Sequence, residues 1–136
     1  MSELIAKLNE ILSDEWACVR GLRRAEVLCE APGQREVIKR IRKECSVNCA
    51  NVAQVIRSLG GRPTDVPSPR FSLQIPSESL SEYLDMTQAA QQHIITEIEG
   101  VLGDPALKSC RSILSQIQQL HRDDSAWLTK AISAEA

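Results

Sequence analysis

The chain has 136 residues, of which 43% are hydrophobic and 25% are charged, which is the size and mixture of a single globular domain over residues 1–136. Only four residues are aromatic, so we expect an aliphatic core, and the aromatic stacking surfaces of nucleic-acid binding are excluded. The chain has neither an apolar run of membrane-spanning length nor the pattern of a secretory signal, which predicts a cytoplasmic protein without a membrane partner.

Apolar residues recur at intervals of three and four residues along four segments, which is the period of an amphipathic α-helix. The third segment begins with the capping-box pattern of Ser79 and Glu82, and Asp104 is a plausible N-cap for the fourth. Gly60 and Gly61 end the second segment. The four predicted helices cover residues of about 2–30, 33–60, 77–102 and 105–133.

The connections between the predicted helices indicate their topology. Tight breaks at residues 31–33 and 103–105 predict two antiparallel helical hairpins. Residues 61–76 contain four prolines and cannot be helical, but at about 3.3 Å per residue they span roughly 50 Å, the length of a long helix. We therefore predict an all-α four-helix bundle in which a long crossover joins helices 2 and 3.

The five cysteines are an odd number, and they are scattered within predicted helices, which indicates reduced thiols rather than a disulfide framework. The three-residue gap between Cys45 and Cys49 is typical of a helix and not of a structural zinc site. The five are Cys18, Cys29, Cys45, Cys49 and Cys110.

The net charge of −2 is unevenly distributed, because residues 20–43 contain eight basic and three acidic side chains. Arg35, Lys39 and Arg42 follow helical spacing and predict a basic stripe that binds an anionic protein partner. The alternative is a solvated helix face with local ion pairs, such as Glu36 with Arg40.

Polar or thiol side chains interrupt the inward-facing stripe of every predicted helix near its middle. Within each hairpin, the interrupting residue of the first helix precedes those of the second by 30 and 33 positions. This repeated offset predicts that all six side chains meet in one layer of the bundle. The six are Glu15 on helix 1, Cys45 and Asn48 on helix 2, Gln91 on helix 3, and His121 and Asp124 on helix 4.

These segments resemble the ferritin-like superfamily, of the bacterioferritin and rubrerythrin type. LNEILSDEWACVRGL is similar to that family's first helix, ECSVNCANVAQVIRSLGGRP to its second and LHRDDSAWLTKAI to its last. The resemblance implies that the six positions correspond to the family's ligands of two iron or manganese ions, which are four carboxylates and two histidines. This chain offers only two carboxylates and one histidine there, so we expect ferroxidase, peroxidase and iron-storage activities to be lost.

Three interpretations of the polar layer follow. It is a set of hydrogen-bonded core groups, or a mononuclear zinc or iron site made by Glu15, Cys45, His121 and Asp124, or a small-molecule or haem pocket. His93 is expected to be exposed and to point away from the layer. The leading hypothesis is a non-catalytic protein without a cofactor that acts through protein–protein interaction, as a homodimer by analogy with the family. The alternative is a metal-binding protein with an altered ligand set.

Overall fold

The computed structural model describes residues 1–73 and 77–135. Within these ranges the chain is all-α, with four long helices and no β-strand, which confirms the predicted class. The helices are α1 (Ser2–Leu28), α2 (Pro32–Ser58), α3 (Leu80–Val101) and α4 (Arg111–Glu135). None of these described helices is both long and apolar enough to cross a membrane.

The turn between α1 and α2 covers residues 29–31, so it begins two residues earlier and ends one residue earlier than predicted. Helix α1 ends at Leu28, because Cys29 is already extended, and the Arg35 Nε donates a hydrogen bond to the Cys29 carbonyl at 2.8 Å. Helix α2 begins at Pro32, one residue earlier than predicted, since proline has the fixed φ of a first helical residue and no N–H to satisfy.

Two glycines end α2, as predicted. Gly60 has a φ of +81°, which only glycine adopts without strain, and its N–H bonds to the Arg57 carbonyl at 2.9 Å. The Gly61 N–H bonds to the Ile56 carbonyl at 2.9 Å, which completes a Schellman motif.

The second hairpin confirms one predicted cap and corrects one helix boundary. The Ser79 Oγ accepts a hydrogen bond from the Glu82 N–H at 3.3 Å at the start of α3. The predicted fourth helix is not continuous from residue 105, because Pro105–Cys110 forms a 3-10 turn before α4 begins. This tighter turn places Leu107 in the core, fully buried.

Helix α1 packs along both α2 and α3, and α4 packs along α3. Contacts between α2 and α4 are far fewer, so the bundle is open along that edge. The core is aliphatic, as predicted, and its largest fully buried side chains are Leu8, Ile11, Leu12, Leu22, Ile38, Ile41, Ile56, Leu84, Ile94, Ile98, Leu107 and Leu114.

The segment after α2 lies along α1. The Asn9 side chain bonds to the backbone of Arg62 and Thr64 at 3.1 and 2.9 Å, and the Ser13 Oγ donates to the Val66 carbonyl at 2.7 Å. Of the predicted crossover over residues 61–76, residues 74–76 lie outside the described ranges.

Gly21 marks the closest approach of α1 to α3. A Cβ at this position would lie 2.8 Å from the Thr87 Oγ1, which is itself fixed by a hydrogen bond to the Tyr83 carbonyl. We therefore predict that Gly21→Ala lowers the free energy of unfolding by about 1–3 kcal/mol in a urea titration. Gly100→Ala, which meets open space on α3, should instead raise it by up to about 1 kcal/mol, and equal effects would refute the close packing.

Candidate functional site

A buried ion pair joins α1 to α4 at the centre of the bundle. The His121 Nε2 lies 2.6 Å from the Glu15 Oε2, and both residues are 0% exposed. Burial alone lowers the pKa of His121, but the charge of Glu15 and the hydrogen bond to it outweigh burial and raise that pKa. The two side chains therefore form a short hydrogen bond held out of water, in which the acidic neighbour favours the protonated form of His121.

Two thiols lie beside this pair. A carboxylate oxygen of Glu15 and the sulfurs of Cys18 and Cys45 all lie within 4.8 Å of one another, and all three residues are buried. The hydrogen bond between the sulfurs raises the pKa of Cys45 well above its usual value, with burial adding to this effect. The hydrogen bond lowers the pKa of Cys18, but burial and the charge of Glu15 leave it raised. Both thiols are thus protonated at neutral pH and are poor nucleophiles.

Several polar atoms at the centre have no hydrogen-bond partner among the described residues. They are the Glu15 Oε1, the His121 Nδ1 and both amide atoms of Gln91, and all three residues are fully buried. A buried polar atom without a partner costs about 1–3 kcal/mol, so such atoms in a folded protein point to a water or an ion.

Asp124 has different partners from the central pair. It shares a hydrogen bond with Glu44 of α2, and the Arg40 Nη1 lies 2.9 Å from the Glu44 Oε1 and 3.6 Å from the Asp124 Oδ1. Burial, followed by the bond to Glu44, raises the pKa of Asp124 to about 7. Asp124 therefore keeps its proton up to about neutral pH at the α2–α4 edge.

A groove follows this open edge, and we call it the α2–α4 groove. It has a volume of about 620 Å³. Its aliphatic side chains include Val47, which is 58% exposed. The groove is lined by Glu36, Lys39, Arg40, Lys43, Glu44, Val47, Asn48, Asn51, Ile113, Gln116, Ile117 and Leu120.

All six residues predicted to form the polar layer are buried. Glu15, Cys45 and His121 come together. Asp124 pairs with Glu44 instead, and Asn48 lines the α2–α4 groove. The sequence analysis missed Cys18, three residues after Glu15 on the same helix face, and Glu44, which directly precedes Cys45.

A second polar cluster lies between α1, α3 and the segment that joins α2 to α3, which we call the linker. His93, predicted to be exposed, is half-buried, and its Nδ1 lies 2.9 Å from the Asp14 Oδ2 and 3.0 Å from the Glu97 Oε1. Because Arg70 can only donate, the bond of 2.8 Å between its Nη1 and the His93 Nε2 makes that nitrogen an acceptor. Burial and the bond to Asp14 raise the pKa of Glu97 to about 9. The cluster fastens the linker to both helices.

Two members of the predicted basic stripe make bonds within the fold. Arg35 donates to the Cys29 carbonyl, and the Arg42 Nε lies 2.7 Å from the Glu26 Oε2. Such local contacts are what the alternative interpretation, a solvated helix face with local ion pairs, predicts. An anionic protein partner at Arg35, Lys39 and Arg42 stays a prediction.

No protein-family model matches the chain, and no curated protein is significantly similar to it. The side chains present can still be compared with the ligands of the di-iron site that the resemblance implies. Two divalent ions need several free carboxylates, whereas Glu15 is bonded to His121 and Asp124 lies beside the guanidinium of Arg40. The residues present do not fit a di-iron centre.

The raised pKa of Asp124 makes folding stability depend on pH. A pKa raised from 3.8 to about 7 means that the folded state holds a proton that the unfolded state has lost, so this group's contribution falls as pH rises through that interval. We predict that Asp124→Asn gains stability relative to the wild type from pH 4 to pH 7, by on the order of 1 kcal/mol, in urea titrations. The unfolding free energy of Asp123→Asn, a substitution at an exposed neighbour, should change with pH as that of the wild type does. The same pH dependence for Asp124→Asn as for the wild type would contradict a raised pKa at Asp124.

The central ion pair should behave as a coupled unit. Removing one partner leaves the other charge buried and unpaired, so Glu15→Leu and His121→Leu should each cost about 3–5 kcal/mol of unfolding free energy. The double variant should cost clearly less than the sum, because no unpaired charge remains. Additive losses in a double-mutant cycle by urea denaturation would show that the two side chains do not interact.

Proposed function

We propose that this protein is a non-catalytic ferritin-like bundle that acts by protein–protein interaction, pairing with a second copy of itself along the α2–α4 groove. The observation that carries the proposal is the groove itself: an aliphatic trough with charged margins, on the one edge where packed helices leave the bundle open. Interfaces between proteins have this composition, with an apolar centre and a polar rim.

Helix packing and the linker path support the ferritin-like arrangement. Helix α1 has α2 and α3 as neighbours, and α3 has α1 and α4, as expected when two hairpins pack side by side. The linker follows α1 from Asn9 to Trp16, whose Nε1 donates to the Thr64 carbonyl at 3.2 Å. A path along a helix is what a long crossover between α2 and α3 requires.

The electrostatics of the centre support a non-catalytic role. Its two thiols are protonated, its carboxylate is hydrogen-bonded to an imidazole, and all of these groups are closed off from solvent. General acid–base or nucleophilic catalysis needs a reactive group within reach of a substrate, and the described residues of the centre offer none.

The charges beside the groove favour a second copy as its partner. Helix α2 presents acids and bases together, with Glu36 and Glu44 near Lys39 and Lys43. In a two-fold symmetric pair, each copy meets the same surface of the other, so a face that carries both signs can place its acids against its partner's bases. Val47 then lies among these charges as an exposed apolar contact.

This proposal predicts a dimer that one substitution in the groove disrupts. Val47→Asp places a charge in the apolar part of the interface, and we expect it to weaken self-association at least about tenfold, equivalent to about 1.4 kcal/mol. Sedimentation velocity over a range of protein concentrations measures the effect.

The matched control is Val27→Asp, because Val27 is a valine on α1 that is 68% exposed and lies outside the groove. Like Val47, it has a basic residue four positions earlier in its helix. A wild type that stays monomeric at every concentration, or a dimer that survives Val47→Asp as well as it survives the control, would refute the proposal.

A further inference from the structure

The thiol-containing part of the centre has the composition and geometry of a metal site. Helix α1 supplies Glu15 and Cys18, which are three positions apart and so share a face, and α2 supplies Cys45. One oxygen and two sulfurs within 4.8 Å of one another can surround a single ion after small side-chain movements. His121 from α4 lies outside this group of three, but its Nε2 is bonded to Glu15, and the same nitrogen is the candidate for a fourth ligand once it leaves the carboxylate.

Unsatisfied atoms in the same cluster point to a ligand. The second carboxylate oxygen of Glu15 has no hydrogen-bond partner among the described residues, although Glu15 is 0% exposed. The Nδ1 of His121 also lacks a partner, but it is a different ring atom from the Nε2 that meets Glu15. Hydrogen bonds within the chain therefore use only part of the donor and acceptor capacity of this cluster.

We propose that Glu15, Cys18, Cys45 and His121 bind one thiophilic divalent metal ion, of which zinc is the most common in proteins. Two sulfurs, one imidazole nitrogen and one carboxylate oxygen form a four-coordinate set that zinc accepts, whereas magnesium, calcium and manganese prefer oxygen. This set replaces the one expected from sequence, because Asp124 is engaged by Glu44 and Cys18 lies in its place.

Binding exchanges protons for the ion. Each thiol must lose its proton to bind the ion as a thiolate, so at least two protons leave for each divalent ion bound. Two thiolates and one carboxylate then offset the ion's two positive charges with one negative charge to spare. Four protein ligands in a closed site are typical of structural rather than catalytic zinc.

The cluster of Asp14, His93 and Glu97 does not support a second ion in the same way. The guanidinium of Arg70 is bonded to His93 and places a positive charge beside any cation bound there. We therefore expect one ion for each chain.

The test is a titration of the full-length, fully reduced protein with Co²⁺ and Zn²⁺ under anaerobic conditions. Cobalt reports its own ligands, because thiolate coordination produces sulfur-to-cobalt charge-transfer absorption in the near ultraviolet and tetrahedral geometry gives intense visible bands. We expect one equivalent of Co²⁺ to develop both signals, one equivalent of Zn²⁺ to displace it, and a pH indicator to register at least two protons released for each ion.

Matched thiol variants locate the site. Cys18→Ser and Cys45→Ser should each weaken binding by at least about 100-fold, since each removes a direct ligand. Cys49→Ser and Cys29→Ser should retain it, because these two cysteines are equally buried and lie outside the cluster. Circular dichroism identifies any variant that does not fold. If a thiol variant does not fold, the number of thiolate ligands is read from the charge-transfer intensity of the wild type, which must correspond to two.

Three outcomes would overturn the proposal. They are a folded, reduced wild type that binds neither ion at micromolar concentration, binding that survives Cys18→Ser, and two ions bound for each chain without a thiolate signal. Because metal content and self-association are measured separately, the failure of this inference is distinguishable from a failure of the proposed dimer.

Discussion

The buried contact between Glu15 and His121 constrains the centre of this bundle more than any other interaction. It joins α1 to α4, two helices that share little other packing, and it places opposite charges where no solvent can reach them. An ion held this way costs several kcal/mol to desolvate and is tolerated only while its partner stays in place. The bond between the thiols lowers the pKa of Cys18 and raises that of Cys45, burial raises both, and the charge of Glu15 adds to the effect of burial, so the pair contributes to the ionisation of the whole centre.

Much of the fold could be predicted because helical periodicity and capping are local properties of the sequence. The glycines after α2 and the serine before α3 each act within a few residues, and each has the predicted role. The prediction that residues 61–76 contain no helix was wrong at Pro69–Phe71, a short 3-10 turn whose first residue is a proline with the φ that a helix start needs. The 3-10 turn at Pro105–Cys110 was missed because Asp104 followed by proline starts either kind of helix, and the packing of Leu107 decides between them. The opening between α2 and α4 was missed because a repeat pattern identifies an apolar face but not the distance to the next helix.

The candidate site was predicted less completely, and Cys18 and Glu44 show why. A heptad trace assigns one seam to each helix, whereas α1 packs against two neighbours and therefore buries a wider face that includes Cys18. Glu44 lies one position away from the seam of α2, on the flank that faces α4, where only the helix separation determines that Asp124 meets it. Burial could thus be inferred from spacing, but the choice of partners depends on distances between helices that spacing does not contain.

The open edge and the closed centre are electrostatically linked through α4. Asp124 raises the pKa of His121, and His121 in turn lowers that of Asp124, so the proton held at the edge and the protonation of the imidazole inside affect each other. Arg40 is the exposed residue among these charged side chains, because it lines the α2–α4 groove and its guanidinium lies beside Asp124. A second protein that covers the groove and pairs with Arg40 would remove a positive charge from beside Asp124 and so favour the protonated form of Asp124. Because a neutral Asp124 no longer stabilises the positive charge of His121, the pKa of that imidazole would then fall.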